Sequence, residues 1–133
     1  MDFLFKYLSE NELIEVQKKT TQLTYKRNEV IFKQGLQTTH VAFLQKGIVK
    51  FVFEKEQNKN IILSVASAPK IIGGSNLFNN EKNLFSILAV DDCDVLLVEA
   101  SAIWGLLKKN GILSVDIYRI VSEMYNKSII NFI

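Results

Sequence analysis

The feature that most constrains the fold is a series of short apolar segments, closely spaced between Gln22 and Val98. Within each segment the residues either alternate between apolar and polar or form a brief apolar run, which is typical of β-strands. Turn-forming residues separate the segments, and no helical stretch interrupts them. Asp91-Asp92, between the last two segments, is expected to cap a hairpin. The segments are residues 23–25, 29–32, 41–44, 48–53, 61–65, 71–72, 86–90 and 95–98. The pattern predicts an antiparallel, jelly-roll-like β-roll of about eight strands.

Helical patterns stand on both sides of this β region. Ser9 and Glu12 have the spacing of a capping box, which predicts a short helix at the start of the chain. After the strands, Ser101 is expected to cap a second helix that stops at Asn110-Gly111. A long amphipathic helix is expected from about residue 114 to residue 133, with an apolar stripe wider than a simple coiled-coil seam. The fold class is therefore mainly β with flanking helices.

Composition excludes several classes of function. The chain has 133 residues, enough for one domain, and a formal net charge of +2 that indicates no nucleic-acid groove. Its single cysteine, Cys93, and single histidine, His40, cannot form an internal disulfide, a zinc or iron–sulfur site, or the multi-histidine centre of a cupin enzyme. We predict no metal site, no catalytic residues and no enzymatic activity. The start of the chain lacks a signal-peptide pattern and no stretch is long enough to span a membrane, so a cytoplasmic protein is expected.

Several motifs, in this order, resemble the cyclic-nucleotide-binding-like domain of Crp/Fnr-family transcription regulators. Residues 27–35 (RNEVIFKQG) resemble the family segment K-G-E-x-I-F-x-x-G, and residues 43–50 (FLQKGIVK) resemble its next strand and turn. Ile71-Ile72-Gly73 matches an apolar pair followed by glycine, and residues 95–98 with Ser101 and Trp104 match the last strand and the helix after it. The resemblance covers nearly the whole chain and implies that residues 1–133 form a sensor domain.

The same resemblance implies that the nucleotide pocket is degenerate. In nucleotide-binding members a Glu after the glycine holds the ribose and an Arg about ten residues later pairs with the phosphate. Here the Glu position is Gly74 and the Arg position falls at Asn83 or Leu84, while no Arg occurs between Gly73 and Val98. The flexible ammonium of Lys82 does not replace a guanidinium. Leu84 and Phe85 are expected to make the wall that would face the phosphate apolar. The candidate effector pocket comprises Gly73, Gly74, Ser75, Asn76, Lys82, Asn83, Leu84 and Phe85.

We therefore expect no cofactor and no response to cAMP or cGMP, although another small-molecule effector is left open. In the glycine-rich loop, Ser75 or Asn76 could cap a helical turn that holds a weak anion; the simpler interpretation is a tight turn between strands.

The long helix is expected to pair with its counterpart in a homodimer, as the resemblance implies. The predicted seam is Ile117, Val121, Met124 and Ser128. The family places a DNA-binding winged helix-turn-helix after this helix, and residues 1–133 contain none, so DNA is a partner only through a segment beyond Ile133. The alternative function is a free-standing interaction module without ligand. The effector, the target DNA and the direction of regulation are not encoded in any motif of this chain.

Overall fold

The structure is a computed structural model that describes residues 6–74 and 82–130, with only the backbone of Ser128. In chain order the elements are α1 (Glu10–Lys18), β1 (Thr20–Tyr25), β2 (Val30–Phe32), β3 (His40–Lys46), β4 (Ile48–Glu54), a short 3-10 turn (Glu56–Asn58), β5 (Asn60–Ser67), β6 (Lys70–Gly73), β7 (Ser86–Ala89), β8 (Cys93–Glu99), α2 (Ala100–Lys109) and α3 (Gly111–Ile130). The predicted order of helix, eight strands, short helix and long helix is confirmed.

The strands form two antiparallel four-stranded sheets, ordered β1-β8-β3-β6 and β2-β7-β4-β5. The predicted β-roll is therefore confirmed. Most of the side chains that the two sheets bury against each other form one apolar cluster: Ile31, Ala42, Leu44, Val49, Ala66, Ile72, Ile87, Ala89, Cys93 and Val95. Burial of these side chains is the main stabilising contribution to the roll.

A second apolar cluster joins the three helices to the outer face of the first sheet. Its buried members are Val16, Phe43, Val98, Ile103, Leu106 and Leu113. Ile117 and Ile120 pack against the same cluster, and neither core cluster includes a residue of α3 beyond Ile120. The first half of α3 is thus anchored to the domain.

The predicted start of α1 is confirmed. The backbone N–H of Glu12 donates to Ser9 Oγ at 3.2 Å, and the N–H of Ser9 donates to Glu12 Oε1 at 3.0 Å, which completes the capping box.

The predicted cap of α2 at Ser101 is wrong. The helix begins at Ala100, with Glu99 at the N-cap and no capping side chain. Because β8 continues to Glu99, the N–H of Ala100 already donates to the carbonyl of Thr39 at 3.0 Å. Ser101 therefore lies inside the first turn.

The boundary between α2 and α3 also differs from the prediction. Asn110 ends α2, as expected, but α3 begins at Gly111 rather than near Ser114. The Asn110 side chain explains the difference, because its Oδ1 accepts from the N–H of Leu113 at 3.0 Å and so caps the next helix.

The turn at Asp91-Asp92 does not close a hairpin, contrary to the prediction. The strands on either side of it, β7 and β8, belong to different sheets. The alternation of apolar residues identifies strands but not their partners, so two adjacent strands were wrongly taken to pair. The turn instead carries the chain from one sheet to the other.

Candidate functional site

Five of the predicted pocket residues line one small cavity at the end of the roll. They are Gly73, Gly74, Asn83, Leu84 and Phe85, together with Phe32, Thr38, Ile72 and Ile87. Lys82 does not line the cavity; it is exposed and forms an isolated β-bridge with Gln37. Ser75 and Asn76 lie outside the described residues. Sequence reasoning missed Phe32 and Thr38, because an apolar strand residue and a polar loop residue carry no distinctive signal.

The cavity has a volume of about 20 Å³. A cavity of that size holds about one water molecule, whereas small-molecule pockets measure about 300–1,000 Å³. Among the described residues this cavity is therefore much smaller than a typical small-molecule pocket.

Gly74 occupies a backbone conformation that a larger residue adopts only with strain. Its φ is +104°, and a Cβ built there would lie 2.8 Å from Val41 Cγ2 and 3.0 Å from Val41 Cα. The preceding glycine is also restricted, since a Cβ at Gly73 would overlap the ring of Phe32. The two glycines therefore allow β6 to end in close contact with β2 and β3.

Asn83 connects the segment before β7 to the loop between β2 and β3. Its side chain accepts from Thr38 Oγ1 at 2.6 Å and donates from Nδ2 to the carbonyl of Lys33 at 2.9 Å. Its backbone N–H donates to the carbonyl of Leu36 at 2.8 Å, and its carbonyl accepts from the N–H of Gly35 at 2.9 Å. We call this set of four hydrogen bonds the Asn83 latch. Because Asn83 makes all four within the protein, they hold the 33–38 loop in place without a ligand.

The two predicted apolar wall residues behave differently. The ring of Phe85 packs edge-on against Phe51, with centroids 5.6 Å apart and planes at 79°, and belongs to the core between the sheets. The side chain of Leu84 is 60% exposed. The wall offers a phosphate neither a cation nor a hydrogen-bond donor from these two side chains.

Comparison with known proteins assigns the chain to a family. A family model described as the cyclic nucleotide-binding domain matches residues 22–110, well over half of the chain. The chain belongs to the cyclic nucleotide-binding domain family. The family and fold are those of regulatory domains rather than of enzymes. No curated protein sequence matches the chain at a significant level.

Solved structures of transcription regulators share the fold of this cyclic nucleotide-binding domain. The sensor domain of the transcriptional regulator DNR from Pseudomonas aeruginosa matches with a TM-score of 0.79 at 19% identity, covering 97% of this chain and 95% of that one. A second DNR structure gives 0.77 at 19% identity, with 96% and 57% covered. The catabolite activator protein of Thermus thermophilus gives 0.74 at 16% identity, with 97% and 61% covered. The chain thus spans less than two thirds of the length of the latter two.

The Glu and Arg positions implied by the resemblance fall at residues whose contacts are constrained in this cyclic nucleotide-binding domain. The Glu position, Gly74, has a positive φ and lies against Val41. Asn83, one of the two residues to which the resemblance assigns the Arg position, has both polar atoms of its side chain engaged in the Asn83 latch, and the other, Leu84, is exposed. The structure shows which contacts Gly74 and Asn83 make at these positions.

A second hydrogen-bonded cluster fixes the start of the 33–38 loop, at Lys33 and Gln34, to β4. The Gln34 side chain accepts from the N–H of Glu54 at 2.8 Å and donates to its carbonyl at 3.0 Å. The Lys33 ammonium contacts both carboxylate oxygens of Glu54, at 2.6 and 2.7 Å, and this hydrogen bond lowers the pKa of the Glu54 carboxyl. Gln34 acts as a substitute strand partner for the end of β4. In the sequence, the only sign of this role for Gln34 is its position in the RNEVIFKQG segment that resembles the family motif.

Cys93 and His40 each contact nearby groups of the protein. The Cys93 thiol is buried and donates to the carbonyls of Ile48 and Asp91, both at 3.2 Å. Burial raises the pKa of this thiol, so it remains protonated at neutral pH. His40 Nδ1 lies 2.7 Å from Thr39 Oγ1. Among the described residues, no three His, Cys, Asp or Glu side chains come together as a metal site.

The predicted dimer residues lie along α3 in different surroundings. Ile117 is half-buried against its own domain, whereas Val121 and Met124 are 52% and 41% exposed. The side chain of Ser128 lies outside the described part. A second exposed apolar row on the helix contains Val115, Tyr118, Tyr125 and Ile129. No helix in the described residues is both long enough and apolar enough to cross a membrane.

Proposed function

We propose that this chain is the effector domain of a cytoplasmic Crp/Fnr-type transcription regulator that does not respond to cAMP or cGMP. The observation that carries the proposal is the pair formed by Gly74 and Asn83. In this chain the backbone and surroundings of Gly74 disfavour a larger side chain. The side chain of Asn83 makes its hydrogen bonds within the protein.

Electrostatics supports the same conclusion. A cyclic nucleotide carries a phosphate anion, and burying an anion without a charged partner costs several kcal/mol. The nearest cation in the sequence, Lys82, does not line the cavity. An effector of another chemical class, or none at all, is compatible with the closed site.

The dimer is the second part of the proposal. Val121 and Met124 lie beyond the part of α3 that packs on the domain, and they have no polar group to keep in water. Pairing α3 with α3 of a second copy would bury them. Tyr118 and Tyr125 are 75% and 64% exposed. Each has a hydroxyl that stays hydrated at a surface, so their exposure does not require a partner helix.

Changing both Val121 and Met124 to lysine is expected to weaken dimerisation at least about 100-fold, because two charges would replace apolar contacts at the seam. Sedimentation velocity over a concentration series measures the change. Asn126→Lys, on an exposed part of the same helix, is the matched control and should leave the affinity unchanged. If Tyr118→Lys with Tyr125→Lys abolishes the dimer and the Val121/Met124 variant does not, the seam lies on the other apolar row.

The regulator and the free-standing interaction module differ in what the gene encodes after Ile133. About 80 further residues with a helix-turn-helix pattern, the usual size of that segment, would support the regulator. An encoded end at Ile133 would favour the interaction module. Sequencing the gene beyond this codon decides between them.

A further inference from the structure

The outer end of the β4–β5 hairpin, residues 53–61, extends beyond the part of β4 that pairs with β7. The ladder between β4 and β7 ends at the pair Val52 and Ser86, whereas the ladder between β4 and β5 continues to the pair Glu54 and Asn60. Among the described residues, neither apolar core cluster includes a residue of this hairpin end. Core packing therefore does not anchor the hairpin end to the roll.

The 33–38 loop takes the place of a strand partner for the hairpin end. The side-chain amide of Gln34 accepts from the N–H of Glu54 at 2.8 Å and donates to the carbonyl of Glu54 at 3.0 Å. The Lys33 ammonium donates to both carboxylate oxygens of Glu54. The backbone N–H of Gln34 donates to Oγ of the fully buried Ser86 at 2.9 Å. The loop thus joins the hairpin end to the start of β7.

The same loop residues are held by the Asn83 latch. The Lys33 carbonyl accepts from Asn83 Nδ2 at 2.9 Å, while the Lys33 ammonium binds Glu54. On the other side of Gln34, the N–H of Gly35 donates to the carbonyl of Asn83 at 2.9 Å. Gln34 therefore lies between two residues that Asn83 holds. Its side chain can bracket the backbone of Glu54 only while these two neighbours keep their positions.

We propose that the Asn83 latch controls the attachment of the hairpin end, with Lys33 and Gln34 as the connection. In this structure the latch is formed, and Gln34 holds the hairpin end against the loop. Breaking the latch removes the bonds that position Gln34, so the hairpin end is released. Such a coupling free energy acts equally in both directions.

This coupling is a property of the fold and does not depend on whether the chain is part of a transcription regulator. Its use does rest on the proposed function: an effector that breaks the Asn83 latch would also release the hairpin end. The candidate site and the hairpin end would then report the same event.

The first test measures amide hydrogen exchange by NMR in the full chain carrying Asn83→Ala. The N–H groups of Glu54 and Lys55 should exchange at least about tenfold faster, although the latch bonds involve neither residue. Val16→Ala removes buried apolar contacts in the helix cluster, so it lowers stability without altering the loop. This matched control should leave both exchange rates unchanged. Circular dichroism verifies that each variant is folded.

The second test uses the reverse direction and a milder variant. Gln34→Ala should accelerate exchange of the Asn83 N–H at least about fivefold, because the loop that carries its acceptor, the Leu36 carbonyl, loses its contact with β4. Gln22→Ala, at an exposed position of the edge strand β1, controls for the loss of a glutamine and should have no effect.

The double variant Asn83→Ala with Gln34→Ala decides whether the two residues act through one connection. If they do, its Lys55 N–H should exchange within about twofold of the Asn83→Ala rate. Independent effects would multiply instead, to about 100-fold for two tenfold changes, and would overturn the proposal. An unchanged Lys55 rate in folded Asn83→Ala protein would also overturn it. A response to cAMP would contradict the proposed function and leave this coupling intact.

Discussion

Replacing Gly74 with glutamate, the residue that the resemblance implies for nucleotide-binding members, is expected to lower the free energy of unfolding by about 2–4 kcal/mol. The positive φ disfavours any side chain, and the new Cβ would lie 2.8 Å from Val41 Cγ2. Urea denaturation followed by circular dichroism measures the loss. The variant is also expected not to gain affinity for cAMP, because the carboxylate arrives without the phosphate-binding arginine.

Gly105→Ala is the matched control for this substitution. Gly105 lies within α2, and nothing lies within 4 Å of a Cβ placed there. Alanine has a higher helix propensity than glycine, so this variant should gain about 0.5–1 kcal/mol. If Gly74→Glu were as stable as wild type, the end of β6 would be free to rearrange and the position would remain open to a ribose-binding glutamate.

Replacing Asn83 with alanine is expected to lower the free energy of unfolding by about 2–3 kcal/mol. The side chain supplies two hydrogen bonds of the Asn83 latch, and one of its partners, Thr38, is only 7% exposed. Removing Asn83 leaves the Thr38 hydroxyl and the Lys33 carbonyl without this partner. Amide hydrogen exchange should also accelerate in residues 33–38, which the latch holds.

A double-mutant cycle with Thr38→Val isolates the hydrogen bond between the two side chains. The coupling energy should be about 1 kcal/mol, as for two groups in direct contact. Asn126→Ala, on the exposed face of α3, controls for the loss of an asparagine and should change stability by less than about 0.5 kcal/mol. An Asn83→Ala variant as stable as this control would show that the latch does not hold the loop.

The strands and helices of this domain were predictable because their sequence periods are local. The capping box at Ser9 and Glu12 involves residues three positions apart, and the strands alternate over a few residues. The assignment of strands to sheets was not predictable in this way. The turn at Asp91-Asp92 resembles a hairpin turn in sequence, although it connects two sheets.

The candidate site was predictable only in what it lacks. The resemblance, aligned on Gly73, predicts that a Glu and an Arg are missing from the site. The contacts that occupy the site depend on residues far apart in the chain, such as Asn83 with Lys33, or Gly74 with Val41. No local pattern encodes such contacts, so the Asn83 latch and the close approach of Gly74 emerge only from the folded chain.

The most direct test of the proposed function is a thermal-shift and calorimetric titration of the 133-residue chain with cAMP and cGMP. A ligand at 100 times its dissociation constant adds about 2.7 kcal/mol to the stability of a protein that binds it, which raises the melting temperature by several degrees. A cAMP-binding member of the family serves as the positive control. We expect no shift and no heat of binding with either nucleotide. A saturable shift with cAMP or cGMP would contradict the account, because it would require the Asn83 latch to open and another group to hold the phosphate.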